Sequence, residues 1–372
     1  MQNCKDAQSE LESARLNGQR RDGSAKPGGQ SRISVVIEDF SFLWFTLSMN
    51  TGIMSILMHQ SPYQFHGLGV LSTIMFIFNL VLFSAMFLIG LTASTAHWGG
   101  AFFLVAYVGW WIGTAVMVTV AVLVIVIVGK TNIINSDTLT PAMVLPFVGT
   151  ATNAVVGALI VSQSSHVNAR LAIPVIITSY ILAGSGFFAA TMIYAAYFVK
   201  LMNTGLPSPE KTPGLMLLIG PSGQSAAAAQ LLGNASQKFF GAYDRGTFFQ
   251  ATAGNTLATV GVLLGLMFVG LGLLFAAFAI YVIVETAFKR QHKYSLIWWS
   301  TIFPLATINT AWIEFAKDLD SSTFRVLATI FLLLLLVDYF INWAFTLRDI
   351  YMGKLLSGRR AGDAASGRPK EH

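Results

Sequence analysis

The chain has 372 residues, 54% of them hydrophobic and 11% charged, and a mean hydropathy of +0.64. Soluble domains carry roughly 25% charged residues, so the composition indicates a polytopic membrane protein and leaves no room for a soluble nucleic-acid-binding domain. The net charge of +6 sits mainly in the two tails, and the single cysteine, Cys4, excludes an intrachain disulfide and a multi-cysteine metal site.

Residues 1–34 read as a disordered cytosolic tail without the apolar core of a cleaved signal peptide. Arg32–Phe40 alternates basic, apolar and acidic residues, as a short interfacial helix leading into the membrane does. The domain that follows, 35–350, repeats runs of about 20 apolar residues, the length that crosses a bilayer. Spans are predicted near 41–60, 68–92, 100–128, 142–163, 171–199, 214–233, 256–285, 295–316 and 326–347, nine in all, before a second polar tail at 351–372. The predicted fold class is therefore an all-α polytopic bundle.

Lysine and arginine test the topology, because they collect on the cytosolic side. Simple alternation of nine spans divides them almost evenly and puts the two basic tails on opposite sides. One additional crossing between the second and third spans gathers most of them on one side, with both termini cytosolic. The sequon Asn234-Ala235-Ser236 then lies outside. Residues 93–99 are too short to hold that crossing, so the chain behaves as a ten-helix protein with one helix absent.

A second regularity concerns alternate spans. Pro146, Pro221 and Pro304 fall deep within them, and the same spans carry polar stripes. Ser48, Thr51, Ser55 and His59 form one stripe; Pro146, Thr150, Asn153 and Gly157 form the next. A later one steps through Ser300, Phe303, Thr307, Thr310 and Glu314, while the intervening spans are almost purely apolar. Ile219-Gly220-Pro221-Ser222-Gly223-Gln224 is the sharpest break. Backbone freed by proline at bilayer depth is tolerated only in protein or beside a wet cavity. The pattern predicts a hairpin repeat in which kinked, polar-striped helices surround a central pore and greasy ones surround them.

No Lys or Arg lies mid-span, so an anion path would use helix-end dipoles, backbone N–H groups and hydroxyls. The bland alternative is that small residues and prolines permit close helix packing. Phe303 on the polar face is a candidate plug, or a packing residue. Glu314 could attract or relay protons, or be a helix end beside Lys317. Asp338, flanked by apolar residues, must pair or be protonated. His97, His166 and His292 lack ligand spacing, no enzyme motif appears, and neither cofactor nor metal is expected.

Several motifs resemble one family. Phe45-Thr46-Leu47-Ser48-Met49-Asn50-Thr51-Gly52-Ile53 with Ser61-Pro62-Tyr63 resembles the opening of the tellurite-resistance/dicarboxylate transporters. That family holds fungal sulfite efflux pumps, malic acid permeases and plant slow anion channels. Pro213-Gly214 with Gly220-Pro221 resembles its seventh helix, and Trp298-Trp299 with Phe303-Pro304 its ninth. The resemblance covers about residues 36–352. It implies ten helices as five hairpins, a homotrimer of independent pores in the plasma membrane, and a phenylalanine gate that falls on Phe303. The pore-lining positions expected from the stripes and breaks, together with Asn50, are Ser48, Asn50, Thr51, Ser55, Pro146, Thr150, Asn153, Gly220, Pro221, Ser222, Gln224, Pro304, Thr307 and Thr310. Asn50 stands where the family commonly has glycine, and the absent helix would be the pore-lining third. Gly220-Pro221-Ser222-Gly223-Gln224 is similar to the sulfite pumps, whereas Phe303 to Glu314 and Asp318–Phe324 are at least as similar to the malate permeases. The expectation is transport of a small anion, sulfite ahead of a C4-dicarboxylate; a non-transporting scaffold or a truncated inactive paralogue is the other outcome.

Overall fold

A computed structural model describes residues 100–131, 139–164 and 167–352, and the packing below lies within the unit Phe42–Arg348. Every predicted span in that range is helical. Helix α1 covers Gly100–Thr131, α2 Leu145–Gln163 and α3 Ala169–Thr204. Helix α4 covers Gly220–Tyr243, α5 Ala251–Phe288, α6 Ile302–Asp318 and α7 Ser322–Tyr351. The expected spans at 41–60 and 68–92, with Ser48, Asn50, Thr51, Ser55 and His59, lie outside the described residues.

Burial alternates along the chain. Only 11% of the apolar window in α1 is buried, against 78% for Pro141–Gln163, 39% for α3 and 100% for Pro209–Tyr243. The value falls again to 28% in α5 and 22% in α7, whereas α6 is buried along almost its whole length. Nothing in mean apolarity explains this order, since α1 and α5 are as greasy as helices become. They expose Leu104, Ile112, Leu263, Met267 and Leu274 because hydrocarbon solvates those side chains as well as protein does. What decides burial is the polar and small residues, which lipid cannot satisfy.

Each outer helix meets the inner layer along one narrow stripe. In α5 the stripe is Gly254, Gly261, Gly265, Gly272, Ala276 and Ala279, at helical spacing on one face. It lets α5 settle onto α4 until Leu257 O would lie 2.7 Å from a Cβ placed on Gly233. Helix α3 packs Gly186 onto the start of α2 in the same way, with Phe147 O 2.7 Å from a hypothetical Cβ. Helix α7 uses large rings instead. Trp312 meets Phe331 at 4.3 Å between centroids, and Trp299 meets Tyr339 at 5.7 Å and Trp343 at 5.5 Å.

Short connections make α2–α3 and α4–α5 antiparallel hairpins, and α4 lies between α2 and α6. Two lysines tie the bundle ends. Lys238 Nζ donates to Ser162 O at 3.0 Å at one end, and Lys200 Nζ to Leu139 O at 2.8 Å at the other.

Candidate functional site

The three buried elements share one construction. A 3-10 segment enters first and an α-helix with proline in its first turn continues: Pro141–Val144 before α2, Pro209–Ile219 before α4, Leu296–Thr301 before α6. Pro146 and Pro221 are the second residues of their helices and Pro304 the third. The prolines thus mark a junction between two helical geometries, a refinement of the expected mid-span kink. Proline suits the first turn of an α-helix because its missing N–H would have no intrahelical partner there.

Side chains and backbone meet some of the carbonyls at the junctions before α4 and α6. At the start of α4, Gly220 N–H donates to Leu217 O in 3-10 fashion, and Tyr194 Oη of α3 donates to Leu218 O at 2.8 Å. Ahead of α6, Ser300 Oγ lies 3.0 Å from Pro213 O, linking the two 3-10 segments, and 2.6 Å from Ile297 O. Tyr194 was not foreseen, because a tyrosine on an outer helix carries no local sign of its partner.

The predicted pore residues divide by where they point. Thr150 donates to Phe147 O at 2.8 Å, Ser222 to Ile219 O at 2.8 Å, Thr307 to Pro304 O at 2.6 Å and Thr310 to Ala306 O at 3.1 Å. Their hydroxyl protons are therefore committed to their own helices, leaving lone pairs and no donor. Ser222 Oγ also lies 2.9 Å from a hypothetical Cβ on Gly272 of α5, so it faces the outer layer. Thr307 rests on Gly223, where α6 and α4 cross, and Gly220 abuts Val148 of α2. Asn153 is half-buried and turned toward α1: its Nδ2 donates to Thr114 Oγ1 at 2.7 Å, and its backbone carbonyl accepts from Trp110 Nε1 at 2.8 Å. Phe303 is 6% exposed at the head of α6, beside Pro304.

Carboxamide atoms stand out among the buried polar atoms without a partner on α4 and α6. Gln224 Oε1, Gln230 Oε1 and both side-chain atoms of Asn309 are buried and unpaired, as is Ser225 Oγ. Buried polar groups normally find partners, so this concentration marks α4 and α6 as built for something besides packing. Asn309 was not singled out beforehand, although an asparagine in Ile302–Ile313 is itself a legible signal. Gln230 Nε2 bridges to Ala311 O at 3.3 Å and helps hold α4 to α6. Near the end of α6, Glu314 is buried and paired with Lys317 Nζ at 2.6 Å, and Asp318 accepts from Asn234 Nδ2 at 2.8 Å.

A family model described as voltage-dependent anion channel matches residues 39–101 and 84–347. This chain belongs to the voltage-dependent anion channel family. Proteins of known function named sulfite efflux pump, from Arthroderma benhamiae and from Trichophyton rubrum, are each 27% identical over 351 residues, covering 84% of this chain and 91% of theirs. A malic acid transport protein of Schizosaccharomyces pombe is 22% identical over 368 residues, covering 87% of this chain and 82% of its own. The anion channel family assignment agrees with the resemblance read from the motifs. It makes a multi-pass membrane protein of the anion-transport type the plain description of this chain.

Proposed function

We propose that this chain moves a small anion across the plasma membrane between α2, α4 and α6, with sulfite efflux as the specific activity. One observation carries the reading: of three largely enclosed, proline-started helices inside a jacket of lipid-facing ones, α4 and α6 hold unpaired carboxamide atoms. An anion sheds water only where donors replace it, and amide N–H₂ groups do so without a fixed charge that would hold the ion too tightly. On α4 and α6, Asn309 Nδ2 and the Ser225 hydroxyl are unpaired buried donors. Phe303, at the head of α6, is the proposed gate.

Gly220-Pro221-Ser222-Gly223-Gln224 and the sulfite-pump relatives favour sulfite. Malate is the second reading, favoured by the sequence through Ile313-Glu314 and Asp318–Phe324 and by the malic acid transport relatives. The family model matches in two pieces that overlap at 84–101, where the charge pattern places a missing crossing. That supports the loss of one pore wall, and with it a truncated paralogue as the inactive outcome.

The test is expression in yeast lacking its own sulfite pump, with malate uptake assayed in parallel. Sulfite resistance without malate uptake is expected. Malate uptake alone would replace the substrate, and neither activity, with recovery after a third helix is restored, would identify a truncated transporter. Phe303→Ala is expected to raise anion conductance; no current in either form would leave the scaffold reading.

A further inference from the structure

Asp338 sits near the middle of α7, on the single stripe by which that outer helix meets α6. Its side-chain hydrogen-bond partners among the described residues are uncharged. Oδ2 lies 2.6 Å from Thr301 Oγ1, and Oδ1 accepts from Asn342 Nδ2 at 3.0 Å. Among the described residues it has no ion pair. Titratable side chains on the packed elements include Tyr339, Tyr294, whose Oη donates to Asn342 O at 2.9 Å, and His292, whose ring lies 5.2 Å from that of Trp298. The charged groups of α6 are Glu314, Lys317 and Asp318 at its far end, and those of α7 are Arg325, Arg348 and Asp349 toward its two ends.

Thr301 bears on where the protons are. Its Oγ1 is also 2.8 Å from Trp298 O, a carbonyl that can only accept. One hydroxyl proton cannot serve both Trp298 O and a carboxylate. If Asp338 is a neutral acid the count closes: Asp338 Oδ2–H donates to Thr301 Oγ1, Thr301 donates to Trp298 O, and Asn342 donates to Asp338 Oδ1. The neutral form also removes an uncompensated charge from the membrane interior, where it is expensive.

We propose that Asp338 is a proton-binding site that controls the junction at the head of α6. Thr301 is the last residue of the 3-10 segment Leu296–Thr301 and stands two residues before Phe303. With the proton bound, α7 and the junction are tied by a complete chain of hydrogen bonds. With the proton lost, Thr301 must give up either Trp298 O or the carboxylate, and α7 gains a buried charge. Higher pH therefore loosens the junction and lower pH secures it. That this alters permeation past Phe303 rests on the function proposed above; the proton site itself does not.

The experiment uses the full chain in lipid nanodiscs, with infrared spectra of wild type and Asp338→Asn. Asparagine keeps the geometry of the neutral acid, donating to Thr301 and accepting from Asn342. At neutral pH the difference spectrum is expected to contain the carbonyl band of a protonated carboxylic acid, and Thr301→Val is expected to shift it. Thermal unfolding is expected at lower temperature in alkaline than in mildly acidic buffer for wild type, with that shift smaller in Asp338→Asn. Carboxylate bands alone, or the same pH-dependent shift in the variant, would overturn the proposal. Should Asp338→Asn fail to fold, the Thr301→Val band shift decides alone. A chain with the acid band but no transport would retain the proton site and discard the transport reading.

Discussion

Thr307 occupies the space a side chain at Gly223 would need, and Ile308 N would lie 2.9 Å from that added Cβ. Backbone cannot rotate out of the way as a flexible side chain can, so Gly223→Val is expected to destabilise the bundle by about 1–3 kcal/mol through overpacking. Gly223→Ala should lie in the same direction with a smaller loss, and unfolding in detergent reads both. The residue types were legible at this scale, as were Asp338 and Phe303 as outstanding positions. The direction of each hydroxyl was not, because a serine or threonine at bilayer depth either lines a cavity or returns its proton to a carbonyl one turn back. Ser222, Thr307 and Thr310 take the second course.

Helix α5 is apolar all round, and apolarity alone gives no reason to bury one side of it over another. Glycine spacing supplies that reason. Gly261 abuts Ala229 O of α4, whereas a Cβ on Gly270 would meet nothing within 4 Å. Gly261→Leu is therefore expected to cost about 1–3 kcal/mol or more, while Gly270→Leu, on the lipid side, should be neutral or gain up to about 1 kcal/mol from helix propensity. Denaturation of the two variants side by side checks this, and equal losses would contradict the seam. The stripe was present in the sequence as small residues at helical spacing. What it packs on was not, because α4 offers small residues on several faces.

Orientation belongs to the whole molecule. The hairpins place the α3 C-terminus, the α5–α6 connection and the end of α7 at one end, with Lys200, Lys211, Lys289, Arg290, Lys293 and Arg348. Arg170, Lys238, Arg245, Lys317 and Arg325 lie toward the other. The first end is expected in the cytosol. In a Cys4→Ser background, a cysteine at Ser208 should react with an impermeant maleimide only after permeabilisation, and one at Asp320 in intact cells. The reverse pattern would invert the topology.

The sequence by itself determined the helical membrane class, the alternation of inner and outer spans and the family. Each follows from length, apolarity and local motif, which bilayer thickness and backbone hydrogen bonding read directly. It also flagged Pro146, Pro221 and Pro304 as one set. Only the tertiary structure decided that these prolines lie in the first turn of an α-helix entered from a 3-10 segment, that Tyr194 caps the break at Leu218, and that Asp338 meets Thr301. Those pairings join residues on different helices, and a hydrogen bond across a helix interface has no counterpart in the order of residues along one chain.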